Sequence, residues 1–295
     1  MMMFMETPSP TMRPMRVWPL AVLLVVLGVT SWYWSTPTTS KLLLEEKSKY
    51  SHIRVRAIGK VHTLIFVRDN GHEVVESRMD LNAPHKLLLP YSQSMFASHL
   101  YQPTPQRVLV VGLGAGSMVR FLHRHQPTVK IDAVEIDPAI VRLADEIFGT
   151  RSGKNVQIVT ADAFDYLADT KHQYDCIYMD AFLKPAAGTD RSGVPQRLKT
   201  IEFYKSIQAK LSPEGLVVFN LNVHDDTDDD IETIDAAFAA TSVFECATRN
   251  LIVVAQKVAK PMPESQLIKQ AETLDKQFNA SFSFLEILAA RVQKR

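Results

Sequence analysis

Short apolar runs at residues 108–111, 131–134, 156–159, 176–179 and 216–219 are separated by segments of helical length, a rhythm that predicts parallel strands alternating with helices. The runs are apolar throughout instead of alternating, as strands covered on both faces are, so the expected core is a doubly wound α/β sheet. Two more strands, 242–245 and 251–255, flank a turn at Arg249-Asn250 and are expected to close one edge as an antiparallel pair. Upstream the period changes to two. Ile53, Val55 and Ala57 share a face, Leu64 and Phe66 follow, Asp69-Asn70-Gly71 reads as a turn, and Val74-Val75 resume, which predicts a small antiparallel sheet. Residues 87–100 carry apolar side chains at helical spacing before Pro103 and Pro105, and 263–293 read as a C-terminal helix. The expected organisation is an N-terminal segment at 1–40, a small β domain at 41–85, the main α/β domain at 86–260 and a helical extension at 261–295.

Residues 17–34 are apolar and uncharged and end in Trp32, Tyr33 and Trp34. Their length and terminal aromatics predict a single transmembrane helix, preferred over a cleaved signal peptide because no small-x-small site follows. Arg13 and Arg16 lie on one side, Lys41, Lys47 and Lys49 on the other, so flanking charge does not orient the segment. A Ser/Thr/Pro linker at 35–40 separates it from the first strand.

Composition changes this picture little. With 46% hydrophobic and 22% charged residues the chain can bury an ordinary core, and 33 Lys plus Arg against 32 Asp plus Glu leave no basic excess, so nucleic acid is not an expected partner. The two cysteines, Cys176 and Cys246, sit in apolar runs and read as inert core thiols in a reducing compartment. The acidic run from His224 through Asp225, Asp226, Asp228, Asp229 and Asp230 reads as the charged start of a helix, and no metal is expected there.

The chemistry concentrates at strand ends. The run 108–111 leads into Gly112-Leu113-Gly114-Ala115-Gly116 and then a helix, a turn whose glycines let backbone approach a ligand while the helix start offers free N–H groups. The next strand ends at Val134-Glu135-Ile136-Asp137, placing Glu135 where a carboxylate accepts both hydroxyls of a ribose, a geometry shared by several nucleoside cofactors. The third leads into Asp162-Ala163-Phe164. There Asp162 reads as a contact to an adenine amino group, as in methyltransferase-like folds, and as a helix N-cap. The fourth ends at Asp180, at the carboxyl edge where open α/β sheets bind ligands, a position suited to orienting or deprotonating an amine. Asp175, at the opposite end of that strand, reads as structural.

Over residues 47–255 this order resembles the spermidine synthases and their relatives. The resemblance runs through Ser48-Lys49-Tyr50, Tyr91, the glycine turn, Val134-Glu135-Ile136-Asp137, Asp162-Ala163-Phe164, Tyr174-Asp175, Asp180, Val194-Pro195 and Thr200-Ile201-Glu202-Phe203-Tyr204. It implies a class I S-adenosylmethionine methyltransferase-like (Rossmann-like) fold and a transferase that binds S-adenosylmethionine or decarboxylated S-adenosylmethionine without a metal. It implies Asp180 and Tyr91 as catalytic residues; Gly112, Gly114, Gly116, Glu135, Asp162 and Ala163 as the cofactor site; and a homodimer.

Three departures matter. The family's aspartate in the glycine turn is Ala115, the second carboxylate after the catalytic one is Leu183 followed by Lys184, and the glutamine after the opening tyrosine is Ser51. The nucleoside half is kept and the polyamine half altered, as in the divergent, methyltransferase-like branch. The expectation is therefore a divergent transferase acting on a small or amine-bearing acceptor. A true polyamine aminopropyltransferase and a non-catalytic nucleoside-binding module are the alternatives. Because such cofactors are made in the cytoplasm, a membrane-anchored protein with its catalytic domain on the cytoplasmic side is expected.

Overall fold

A computed structural model of the chain describes residues 39–183, 187–191 and 193–292, and residues 40–295 form one compact unit. The alternating segment forms a four-stranded antiparallel meander of β1 (Lys41–Lys47), β2 (His52–Ile58), β3 (Val61–Val67) and β4 (Glu73–Asp80). Arg54 and Arg56 lie on the face opposite Ile53 and Val55 and pair with Glu73 at 2.8 Å, while Ile53 and Val55 are fully buried. Gly71, with φ 79°, closes the β3–β4 turn by donating its N–H to the Arg68 carbonyl at 2.8 Å.

The apolar runs become β5 (Arg107–Val111), β6 (Lys130–Glu135), β7 (Val156–Thr160), β8 (Tyr174–Met179) and β9 (Leu211–Asn222), followed by β10 (Ala240–Glu245) and β11 (Asn250–Gln256). They assemble in the order β10-β11-β9-β8-β5-β6-β7, all parallel except β11, which inserts antiparallel between β9 and β10. This is the Rossmann-like arrangement of methyltransferase folds, with the N-terminal antiparallel sheet beside it. Helices cover both faces because every β5 side chain from 108 to 111 is buried: Val108 and Val110 on one face, Leu109 and Val111 on the other.

The first face carries α1 (Pro90–Ser94), which tightens into a 3-10 turn (Met95–Leu100), α2 (Ser117–His125), α7 (Glu264–Phe278) and α8 (Phe284–Ala289). The second carries α4 (Ala163–Asp169), α5 (Ile201–Gln208) and α6 (Thr227–Ala237). The remaining helix, α3 (Pro138–Glu146), packs Ile140 and Leu143 on Ile53, Val55, Leu64 and Phe66, joining the small sheet to the large one.

Several expectations change. The C-terminal segment is two helices, because Asn279 adopts the left-handed conformation (φ 43°) that ends α7, and Asp275 accepts the Ser283 hydroxyl at 2.8 Å and the Phe284 N–H at 2.6 Å to start α8. The segment 87–100 is a short helix and a 3-10 turn in place of one continuous helix. The expectation of a membrane-anchored, single-pass protein is corrected: among the described residues no helix is long and apolar enough to cross a membrane, and 17–34, on which it rested, lies outside those residues.

Behind the glycine turn, the Arg120 guanidinium donates to the carbonyls of Ala115, Phe148 and Pro84 and to the Thr150 hydroxyl, and burial lowers its pKa to about 10. Arg120→Met leaves those acceptors without their charged donor and is expected to destabilise the fold by roughly 2 to 3 kcal/mol. Urea unfolding at constant m-value measures it.

Candidate active site

Strand order reverses at β5 and β8: β6 and β7 extend to one side of β5, β8 and β9 to the other. At such a switch point the connections after adjacent strands diverge and leave a crevice at the carboxyl edge. The crevice here is a cavity of about 850 Å³, its open mouth included. Gly112 and Asp180 are its root. The Asp180 N–H donates to the Val111 carbonyl at 2.9 Å, the Gly112 N–H to the Val134 carbonyl at 2.9 Å, and a Cβ on Gly112 would stand 2.1 Å from the Asp180 carbonyl oxygen. Only glycine fits there, at φ 91°. Gly114 is constrained less severely: at φ 51° a Cβ would meet the Ser77 hydroxyl of β4 at 2.8 Å. Gly116 does not line the cavity; it caps α2 at φ 77° and packs on Thr150.

Glu135 lines the cavity with both oxygens oriented by backbone: one accepts from Leu113 N–H at 3.0 Å, the other from Asp137 N–H at 2.9 Å. Burial pushes its pKa up against those bonds. Each oxygen keeps a lone pair for a ligand hydroxyl. Asp137 is held by the Ser48 hydroxyl and caps α3 through Ala139 N–H at 2.9 Å. Asp162 and Ala163 also line the cavity. One Asp162 oxygen caps α4 through Phe164 N–H at 2.9 Å, and the other is paired with the Arg197 guanidinium, which stacks 5.4 Å over the Phe164 ring.

Asp180 accepts from the Asn220 side-chain amide at 2.8 Å. Burial raises its pKa to about 6, opposed by Asn220 and Tyr91. The Tyr91 hydroxyl donates its proton to the Glu76 backbone carbonyl at 2.9 Å while lying against Asp180, and burial with the two nearby carboxylates pushes it well above the usual phenol range. Glu76 was not among the sequence-derived candidates; it lines the same cavity, and burial followed by the charge of Asp180 raises its pKa to about 7. Nothing local marks Glu76, whose position depends on how β4 sits on a turn nearly forty residues later, as in the 3.1 Å bond from Ala115 N–H to the Ser77 hydroxyl. Asn220 did carry a signal: it is a lone amide inside a buried apolar run, where a polar group needs a partner.

Asp175 is structural, accepting from the N–H groups of Gln106 and Arg107 at 2.7 and 3.1 Å. Leu183 lines the cavity and Lys184 lies outside the described residues. Cys176 is buried, its thiol pushed up to about 12 by burial, and Cys246 is partly buried, both free. Asp225 and Asp226 do not line the cavity. Asp190, His224 and Asp230 converge within 4.8 Å beside a second, smaller cavity, and the Lys199 ammonium stands 2.8 Å from Asp190 and 2.6 Å from Asp230.

The fold and this crevice define a class of protein: a Rossmann-like α/β protein of the methyltransferase type. A profile of the spermine/spermidine synthase domain matches residues 91–255, and the chain belongs to that family. It is 33% identical to a polyamine aminopropyltransferase of Chromobacterium violaceum over 51% of this chain and 55% of that protein. It is also 33% identical to the human eEF1A lysine and N-terminal methyltransferase over 48% of this chain and 21% of that one. The structure of human methyltransferase-like protein 13 in complex with SAH superposes with a TM-score of 0.59 at 27% identity, covering 66% of this chain and 94% of that chain. The chain thus spans little more than half the length of the curated aminopropyltransferase. Matches to both enzyme types place it in the divergent, methyltransferase-like branch.

Asn220→Leu removes a hydrogen bond to the charged form of Asp180, so the carboxyl is expected to titrate above about 6. Carbon-detected NMR titration reads the shift, and an unchanged or lower value contradicts the assignment.

Proposed function

We propose that the chain is a transferase that uses S-adenosylmethionine or decarboxylated S-adenosylmethionine and acts on a small, amine-bearing acceptor. The observation that carries this is the convergence of Glu135, Asp162 and Asp180 on one cavity floored by a glycine turn in contact with Asp180. The residues present fit an adenosyl group: the floor is bare backbone where a Cβ has no room, and Glu135 is pre-oriented with acceptor capacity left. Asp162 and Ala163 take the adenine end, with Arg197 over Phe164 closing beside it.

A sulfonium cofactor supplies an alkyl carbon that an amine lone pair attacks, the carbon–sulfur bond breaking with its electrons left on a neutral thioether. In this chain Asp180 orients the amine and takes its proton, and its raised pKa of about 6 keeps it ionised yet basic near neutral pH. The Tyr91 hydroxyl lies between the Glu76 carbonyl, 2.9 Å away, and Asp180, and its hydrogen bonding to Asp180 favours the charged carboxylate. Methyl transfer and aminopropyl transfer use the same geometry and differ in which cofactor is held. The similarity to a polyamine aminopropyltransferase supports the second, and the match to a methyltransferase holding SAH supports the first.

Titration calorimetry of the full chain with each cofactor is expected to show binding, and the tighter one names the reaction. Binding to neither, with no turnover on diamines or peptide amines, leaves only a nucleoside-fold scaffold. Asp180→Asn is expected to lower kcat by about a hundredfold or more while cofactor affinity is retained.

A further inference from the structure

With adenine at Asp162 and ribose at Glu135, which is the reading just proposed and the one this inference rests on, a tail leaving the ribose crosses Gly112 to Gly114 and then reaches Glu76, Tyr91 and Asp180. Glu76 is placed there by a β-bulge. Leu64 pairs with Ser77 and the next residue, Ile65, with Val75, so Glu76 is the extra, unpaired residue of β4; it lines the cavity together with Ser77, whose hydroxyl accepts from the Ala115 N–H at 3.1 Å. Among the described residues its carboxylate accepts no hydrogen bond; Arg68 and Asp180 act on it only as charges, in opposite directions. A half-buried carboxylate without a donor is costly until a ligand supplies one. The turn itself offers no alternative anion, because Ala115 is fully buried among Ile53, Val55, Phe66 and Ile140.

We propose that Glu76 is a specificity-determining residue, the counter-ion for the ammonium group on the tail of the adenosyl ligand. The small N-terminal sheet thereby supplies the charge that the glycine turn lacks. Both candidate cofactors carry this ammonium, but the intact one adds a carboxylate that Glu76 and Asp180 repel, so Glu76 ranks the decarboxylated form above it.

The test compares two neutral thioether nucleosides on the full chain: 5′-methylthioadenosine, which has no ammonium, and decarboxylated S-adenosylhomocysteine, which has one. Calorimetry is run at a pH above both raised carboxylate pKa values, so that each is ionised. The amine-bearing ligand is expected to bind the parent protein roughly tenfold more tightly or better, a charge-assisted contact's worth. Glu76→Gln is expected to abolish that ratio with 5′-methylthioadenosine affinity unchanged, and Glu76→Asp, which keeps the charge on a shorter stem, to retain part of it. An unchanged ratio in Glu76→Gln overturns the assignment and leaves the nucleoside reading standing. Loss of 5′-methylthioadenosine binding in Glu76→Gln shows that Glu76 shapes the cavity and also overturns it. Failure of the parent protein to bind either nucleoside overturns the nucleoside reading and this inference together.

Discussion

The contact between Gly112 and the backbone of Asp180 is the constraint from which the rest of the site follows. Two adjacent parallel strands end side by side, and their first residues beyond the sheet meet where no Cβ fits. The ligand floor and the candidate base are thus one rigid unit. The turn is then fixed from several directions by groups distant in sequence: Arg120 on the Ala115 carbonyl from behind, Ser77 on the Ala115 N–H from the small sheet, and Glu135 on the Leu113 N–H from β6. Such bracing holds the glycine turn, with its positive φ angles at Gly112, Gly114 and Gly116, in a conformation that a free loop would leave.

What was legible in the sequence is what short-range pattern encodes. Continuous apolar runs marked buried parallel strands, period two marked the meander, and the glycine turn with its strand-end carboxylates marked the crevice, so Glu135, Asp162, Asp180 and Tyr91 were found from local order and family resemblance. Groups brought in from other elements were not legible. Arg197 reaches Asp162 from a 3-10 turn (Gln196–Lys199), and Glu76 arrives through a β-bulge that no local pattern reports. The break at Asn279 was missed for a related reason: the apolar spacing continues through it, and Asp275, which stabilises the break, is an ordinary helical residue until its partners at Ser283 and Phe284 fold back.

Asp162 bears out the cap reading and spends its other oxygen on a partner from another element. A carboxylate has two oxygens: one caps α4, as Asp residues at helix starts do, and the other is paired with Arg197. The cap fixes the rotamer, and the fixed rotamer holds the second oxygen where Arg197 can pair with it.

The two cavities of the carboxyl edge make opposite use of acidic side chains. In the smaller one, of about 440 Å³, Asp190 and Asp230 are bridged by the chain's own Lys199 with His224 beside them, so a cation of the protein itself sits between the carboxylates. In the larger one the charge of Asp180 raises the cost of ionising Glu76, Arg68 offsets it only as a charge, and Arg197 is paired with Asp162. Burying like charges without a counter-ion destabilises a fold by several kcal/mol, and a fold able to place a lysine between carboxylates in one cavity could do so in its neighbour. The absence of such a lysine among the described residues of the larger cavity is intelligible if its balancing cation arrives with the ligand.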